Sequence, residues 1–469
     1  MCNLRKDKMK LFNHQKQAVK SLLKNKGIGA IYHEIGMGKT LTALETFSRL
    51  RKSNEELTLY VICPLSLIEG AWGEDIKKFT KYNYRNLHEK RIKKQKKPPF
   101  DIYIVNYEWL LHNNLLEYVG SKQNSMIVID ESSKMKNNKA AITKILLSIN
   151  HYFNYRVLMS GTPAPNIETE YWAQMTFLNY GIFHYKFNAF KNEYFHLSRG
   201  NQVMRGQFMT RATAREIFSH GWEYAITDEK RKELMLKIQP YCHYADKEKC
   251  LDLPDRINEI RDIYMQKKQA SIYNQMKKNC IAEIEGENII AQVALTKIMK
   301  LRQITSGFAF DDHGIARAVE GGSPKVEELK NIIEQVGNKQ LIIWCQFHWE
   351  IEALQQIIGN CSVLYGKVPA NKRQNEIDDF RSGKNRFLIA HPASAGHGLT
   401  FVNCNIQIFF SLNYSWEQYE QARGRIHRPG QKNNCLYIHL ICEDTIDKII
   451  YDVLQRKGDS QELIRRFLA

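Results

Sequence analysis

The sequence predicts an α/β chain built as two doubly wound lobes, each a parallel sheet covered by helices on both faces. Two observations carry that expectation. Short apolar, β-branched runs recur with helical patterns between them, as strands buried on both faces do. At 469 residues the chain also suffices for two or three domains of roughly 100 to 200 residues each. In the first half the candidate strands are "GIGAIYH", "LTLYVICP", "FDIYIVNY", "SMIVIDE" and "YRVLMSGTP". In the second half they are "QLIIWCQF", "CSVLYG", "FLIAHP", "CNIQIFF" and "LYIHLI". From about Glu168 to Gly322 the sequence turns helical and aromatic-rich, then charged and Met/Lys-rich. That stretch reads as helical insertions, about 168–235 on the first lobe and about 255–322 on the second. Pro254 in "LDLPDR" breaks the pattern, so the lobes are expected to divide near it, as 1–249 and 250–469.

Composition bounds the function. A hydrophobic share of 43% and a charged share of 25% are those of an ordinary globular chain. The 68 Lys+Arg against 50 Asp+Glu leave a net charge of +18, which points to a polyanionic partner, although a Lys-rich soluble protein would show the same balance. The ten cysteines are scattered, with no C-x-x-C pair, and several sit in apolar runs, which is the usage of buried free thiols in a reducing compartment. Cys242, His243 and Cys250 lack the paired close spacing of a zinc site, so no zinc is expected. The start, "MCNLRKDKMK", has no apolar h-region, and no stretch approaches the roughly 18 apolar residues of a membrane span. The expected location is the cytoplasm, or the nucleus in a eukaryotic host. The basic run from Lys90 to Phe100 reads as a solvated loop, with nuclear targeting or phosphate contact as alternatives.

The first functional motif is "HEIGMGKTLTALE", from His33 to Glu45. An apolar strand, a glycine turn and a helix follow one another, the arrangement that aims backbone N–H groups and a helix dipole at phosphate. Gly36 and Gly38 tighten the turn, Lys39 can neutralise β/γ oxygens, and the Thr40 hydroxyl can ligate Mg²⁺. His33 stands where the first glycine of G-x-x-x-x-G-K-[ST] would be. The second motif, "SMIVIDESSKMKN", places Asp130 and Glu131 at the carboxyl end of a buried strand. Asp130 can hold Mg²⁺ and Glu131 can orient and deprotonate the attacking water. The third is "SWEQYEQARGRIHRPGQ", where Ser415 and Gln418 suggest a capping box and Pro429-Gly430 a stop. Gln421, Arg425 and Arg428 fall at i, i+4 and i+7, so a continuous helix would project all three from one face. Arginines on the second lobe would then supply transition-state charge to nucleotide held by the first.

With these motifs in order, the chain resembles the superfamily 2 helicase-like ATPases, and within them the Swi/Snf class of double-stranded DNA translocases, from about Leu11 to Lys457. "LFNHQKQAV" is similar to the family's adenine-reading segment, which implies Gln15 as the contact, and "EIGMGKT" to its first motif, which also lacks the leading glycine. The likeness continues through "CPLSLIEGAW", "VNYEWL", "DESSKMKN" and "SGTPAPN", then "LRQITSG", "SPKVEEL", "ASAGHGLTF" and "QARGRIHRPGQ". It implies two RecA-like lobes, the use of ATP and Mg²⁺, and coupling through Ser160, Gly161 and Thr162 within Ser160–Asn166. It also implies DNA contacts from Pro64, Ser66, Asn106, Tyr107, Gln346, Ser394, Gly396, His397 and Gly398, small or polar groups suited to phosphate. Two departures stand out. Ser133 replaces a histidine that in relatives relays the γ-phosphate state, and "YCHYADKE", although Lys247 is kept, stands where many relatives have paired arginines.

The function expected from these residues is an ATP-driven, single-chain motor tracking duplex DNA without base readout. A strand-separating or strand-annealing helicase on DNA or RNA is the alternative. A catalytically silent nucleic-acid-binding subunit would not require Lys39, Asp130, Glu131, Gln421 and Arg428 together. The absence of recognisable extra modules leads us to expect a prokaryotic or viral motor, with no membrane partner.

Overall fold

Two parallel sheets, one in each half of the chain, organise the computed structural model. It describes residues 11–88, 100–164, 167–199, 202–204, 223–285, 291–310, 316–318, 322–394, 399–457, 463 and 466–467. Nearly all of the basic run at 90–100 lies outside them. The chain forms two compact units, Met1–Leu251 and Asp252–Ala469.

In the first unit the strands are β1 (Ile28–His33), β2 (Thr58–Cys63), β3 (Tyr84–Asn86), β4 (Ile102–Asn106), β5 (Ser125–Asp130) and β6 (Tyr155–Met159). Further on come β7 (His196–Arg199), β8 (Gln202–Met204), β9 (Glu223–Ala225) and β10 (Cys242–Ala245). The main sheet runs β10-β1-β6-β5-β2-β4-β3, every pair parallel. Side chains alternate between two cores, as the two-residue strand period requires. Tyr32, Ile62, Val105, Ile129 and Leu158 face one side, Ile31, Val61, Ile104, Val128 and Met159 the other. The helix Lys39–Arg51 covers the second face through Ala43, Leu44 and Phe47, while Leu146 and Met175 of the helices Ala141–Ile149 and Tyr171–Leu178 cover the first.

The second unit repeats the plan with β11 (Arg256–Ile263), β14 (Leu341–Trp344), β15 (Ser362–Leu364), β16 (Phe387–Ala390), β17 (Ile406–Phe409) and β18 (Cys435–Cys442). Its order is β11-β18-β17-β14-β16-β15, again parallel throughout. A short antiparallel pair, β12 (Phe308–Phe310) and β13 (Ala316–Ala318), stands apart. The expected fold class, α/β with two doubly wound parallel-sheet lobes, is the one observed.

Three stretches differ from the sequence reading. The region expected as a helical insertion at about 168–235 contains, beside its helices, the antiparallel sheet β8-β7-β9. The segment "RINEIRDI", placed in the second helical insertion, is instead β11, paired with β18 along all eight residues. Its isoleucines recur every third residue, which mimics a helix, whereas half-exposed edge pairing against β18 tolerates that spacing. The cluster "YCHYADKEKC" supplies β10, whose register sets Ala30 beside Cys242 and His33 beside Ala245. The helices Lys267–Glu285 and Ala291–Thr305 follow β11 in the second insertion, which then ends not in helix but in the antiparallel pair β12–β13.

One buried ion pair ties the motifs of the second unit together. Lys325 of "SPKVEEL" is fully buried, its Nζ 2.6 Å from Asp447 Oδ2 and 3.2 Å from the Phe410 carbonyl. Asp447 Oδ1 accepts from Thr305 Oγ1 of "LRQITSG" at 2.9 Å. Burial pulls the Lys325 ammonium down, but the Asp447 carboxylate outweighs it and holds the group above the ordinary lysine value. Replacing Lys325 by alanine leaves a buried carboxylate without its cation. Lys325→Ala is therefore expected to lower the stability of the second unit by about 3–5 kcal/mol, read as a shift in its urea unfolding midpoint.

Candidate nucleotide site

Beyond β1 the chain turns through Glu34–Gly38 into the helix Lys39–Arg51. Gly36 and Gly38 sit at φ of 86° and 72°, the left-handed region that favours glycine. A Cβ on Gly38 would also stand 2.3 Å from Gln15 Nε2. That contact exists because Gln15 lies beneath the loop: its Nε2 donates to the carbonyls of Met37 at 3.2 Å and Gly38 at 3.1 Å, and its Oε1 accepts from Phe12 N at 2.9 Å. His14 Nε2 adds a bond to the Met37 carbonyl at 3.1 Å. The side chain expected to read adenine thus braces the turn. Lys39 Nζ donates to the His33 carbonyl at 2.9 Å, at the mouth of the turn.

His33, in place of a glycine, keeps the last position of β1 and is fully buried. Its Nε2 lies 2.9 Å from His243 Nδ1 on β10. Burial first, then the neighbouring His243 and Lys39, pull its pKa down to about 2, so the ring is neutral. Cys242 and His243 point to opposite faces of β10, and Cys250 is exposed in the turn of helix that follows.

The acidic pair ends β5. Asp130 Oδ1 accepts from Glu131 N at 3.0 Å and Oδ2 from Trp72 Nε1 at 2.9 Å. Trp72 is brought there by a π-helical turn, Ile68–Gly73, in the segment "CPLSLIEGAW". Glu131 itself is left-handed, at φ 56°, a conformation that costs a non-glycine residue energy and that surrounding bonds must hold. Tyr107 does so: its hydroxyl donates to the carbonyls of Asp130 at 2.7 Å and Glu131 at 3.2 Å. Expected among DNA contacts, Tyr107 is 1% exposed and lies beneath the acidic turn. Asn106 is buried as well, its Nδ2 on Glu108 Oε2 at 2.8 Å, so neither side chain presents itself to a surface ligand.

The "SGTP" turn follows β6. Ser160 Oγ accepts from Thr162 N at 3.1 Å, and a Cβ on Gly161 would meet Ile35 Cγ1 at 2.8 Å and Lys39 Nζ at 3.6 Å. Lys39, Asp130 with Glu131, and Ser160–Thr162 therefore hang from β1, β5 and β6, three adjacent parallel strands. The donors suit a hard cation. Each Asp130 oxygen accepts one N–H yet keeps lone-pair capacity, and Thr40 offers a hydroxyl in the first helical turn, so the set fits Mg²⁺.

In the second unit the helix Trp416–Arg423 begins with half of the expected capping box: Ser415 Oγ accepts from Gln418 N at 3.4 Å, but Ser415 N donates to Asn413 Oδ1 at 2.6 Å rather than to Gln418. It stops at Gly424, before Arg425 and Arg428, so the three side chains do not share a helical face. Glycine ends the helix there because the chain turns to offer the Arg425 carbonyl to Phe401 N at 2.9 Å. Gln421 is buried with Nε2 on Glu417 Oε1 at 3.3 Å. Arg425 is 2% exposed, its Nη1 on the Leu399 carbonyl at 3.4 Å. Arg428 is half-buried, with Nε on the Gly424 carbonyl at 2.8 Å and Nη1 on Thr400 Oγ1 at 2.7 Å. Of the two arginines Arg428 is the one with surface to present.

Among the remaining backbone-contact candidates, Pro64 and Ser66 follow β2 and are half-buried; Gln346 and Ser394 follow the adjacent strands β14 and β16. Gln346 N donates to Glu350 Oε2 and Ser411 Oγ, both at 2.9 Å. Gly396, His397 and Gly398 lie outside the described residues.

Comparison with known proteins agrees with this arrangement. A family model described as SNF2-related domain matches residues 14–307, and one described as helicase conserved C-terminal domain matches residues 324–430. The chain is similar to putative protein p41 of Acyrthosiphon pisum secondary endosymbiont phage 1, 26% identical over 92% of this chain and 93% of that protein. It is 24% identical to a Caenorhabditis elegans homologue of SWI/SNF-related matrix-associated actin-dependent regulator of chromatin subfamily A-like protein 1, over 96% of this chain and 61% of that one. An uncharacterized ATP-dependent helicase of Mycoplasma pneumoniae is 25% identical, over 98% of this chain but 42% of its own length. Among solved structures, a Sulfolobus solfataricus SWI2/SNF2 ATPase core in complex with dsDNA is 26% identical, with a TM-score of 0.45, covering 95% of this chain and 91% of that chain. Among the described residues no helix is long and apolar enough to cross a membrane.

Two outcomes follow from the loop geometry. Gly38→Ala forces a left-handed alanine, at a cost of about 1–2 kcal/mol, and is expected to weaken ATP binding about tenfold in a nucleotide titration. His33 takes up a proton near pH 6.5 when unfolded and only near pH 2 when folded, so its contribution to stability is present above pH 6.5 and is lost as pH falls. Acidification from about pH 7.5 to about pH 5 should lower the urea midpoint, and His33→Gln should flatten that dependence.

Proposed function

The chain belongs to the SNF2-related family, and on that premise we propose that it is an ATP-driven motor tracking along the backbone of duplex DNA without base readout. The family domains make it an ATPase of the helicase-like, nucleic-acid motor class. The observation that carries the reading is the convergence of Lys39, the Asp130–Glu131 turn and Ser160–Thr162 on three adjacent parallel strands of one sheet. Such a corner holds a triphosphate: the glycine turn offers backbone N–H groups and Lys39 exchanges its bond to the His33 carbonyl for phosphate oxygens.

Glu131, held left-handed over Tyr107, orients water and takes its proton as the γ-phosphate bond breaks. Magnesium, when bound, would neutralise phosphate charge, and Asp130 and Thr40 would hold it. Trp72 keeps the Asp130 carboxylate aimed by donating to Oδ2. In the second unit Arg428 supplies the cation for the transition state, while the buried Arg425 and Gln421 shape the turn that presents it. The +18 charge favours a phosphate backbone as track, and Pro64, Ser66, Gln346 and Ser394, after strand ends, are our candidates for contacting it.

Glu131→Gln is expected to lower turnover by about 10²–10⁴ while ATP still binds. Arg428→Ala should cost about 10³–10⁵ in kcat. Phosphate release measured without nucleic acid, then with single-stranded DNA, duplex DNA and duplex RNA, should rise most with duplex DNA and fall steeply with salt. Release of single strands from a duplex would favour a strand-separating helicase instead, and turnover surviving Glu131→Gln would overturn the assigned base.

A further inference from the structure

Between the acidic turn and the "SGTP" turn lies a side chain that neither motif contains. Gln174, on the helix Tyr171–Leu178, is fully buried among otherwise apolar and aromatic neighbours. Its Oε1 accepts from Ser132 Oγ at 2.7 Å and from Tyr32 Oη at 3.0 Å. Its Nε2 donates to the Pro163 carbonyl at 2.6 Å and, within its own helix, to the Glu170 carbonyl at 3.2 Å. A glutamine amide has two acceptor sites and two N–H donors, so all four are used.

The partners are not scattered. Ser132 is the residue after Glu131, Pro163 the residue after Thr162, and Tyr32 precedes His33 at the head of the phosphate loop. One planar group thus joins the ends of β1, β5 and β6. Because an amide is rigid, its oxygen and nitrogen cannot shift independently, and a movement of the acidic turn that carries Ser132 Oγ must rotate or translate the N–H pair that holds Pro163. The "SGTP" turn also lies close to Lys39, since a Cβ on Gly161 would stand 3.6 Å from its Nζ. Burial removes water as a substitute partner, so each displaced bond leaves a polar group unsatisfied.

We propose that Gln174 is a positioning residue that couples the acidic turn to the "SGTP" turn, so that the geometry of Glu131 and of Ser160–Thr162 changes together during ATP turnover. It touches neither water nor phosphate itself. The proposal rests on the ATPase reading of the site and not on the identity of the track. A merely structural amide would lower stability and leave the turnover of the folded fraction unchanged.

The test is a double-mutant cycle on the full chain with Ser132→Ala, Gln174→Leu and the double variant. kcat and KM for ATP are measured with and without duplex DNA, beside urea unfolding. Each single substitution is expected to lower kcat about tenfold with KM within about twofold of wild type, and the double to be no worse than Gln174→Leu alone, because both remove one shared link. Gln174→Glu, isosteric with the native side chain, keeps the acceptors and loses both N–H donors. It should regain kcat at lower pH, where a protonated carboxyl donates again. Unchanged kcat in folded variants, effects that multiply in the double, or a loss confined to KM would each overturn the proposal. If Gln174→Leu does not fold, Ser132→Ala and Gln174→Glu decide it by the same criteria. Failure of duplex DNA to stimulate the wild type would refute the translocase reading and leave the cycle readable on basal turnover.

Discussion

Parallel pairing of β1, β6 and β5 is the constraint on which the first unit depends. Parallel strands point their carboxyl ends the same way, so the loops that leave them share one edge of the sheet. The register locks this in: Ile31 stands beside Met159, and Met159 beside Asp130. Three loops separated by up to 130 residues of sequence are thereby neighbours without any contact of their own being required. The apolar faces above and below, Tyr32 and Leu158 on one side and Ile31 and Met159 on the other, keep the strands from slipping, because a slip by one residue would turn every side chain to the wrong core.

On that frame the chemistry is set by buried polar groups that hold backbone. Gln15 and His14 bond to the carbonyls of the phosphate turn, Tyr107 to those of the acidic turn, and Trp72 to the Asp130 carboxylate. Each of these side chains is almost wholly removed from water. They hold two left-handed glycines and a strained left-handed glutamate in place. The second unit uses the same device with charge: Arg425 and Arg428 are tied to the carbonyls of Leu399 and Gly424, and Lys325 with Asp447 pins the segments that flank them in sequence.

Much of this was legible beforehand where residue chemistry is local. The ten strands read from apolar runs all formed, because a run buried on both faces needs no partner-specific signal. β11 was placed in a helical insertion, where isoleucines at every third residue fit, and β10 was not read as a strand because "CHYA" is only four residues long; both are edge strands whose stability comes from one neighbour each. The helix carrying Gln421 was extended too far, since Gly424 is tolerable inside a helix by pattern alone and ends this one through a bond from Phe401, a residue 24 positions earlier in sequence than Arg425.

The sequence by itself determined the fold class, the ten buried strands, the glycine turn and the acidic pair, because periodicity and residue type are properties of short stretches. Only the tertiary structure decided what lies beneath them. Tyr107 carries the same donor whether it meets a ligand or a backbone carbonyl, and nothing in its immediate sequence distinguishes the two. Burial distinguishes them, since a polar group closed off from water must bond to whatever the fold has brought within reach, and that choice depends on strands distant in the chain.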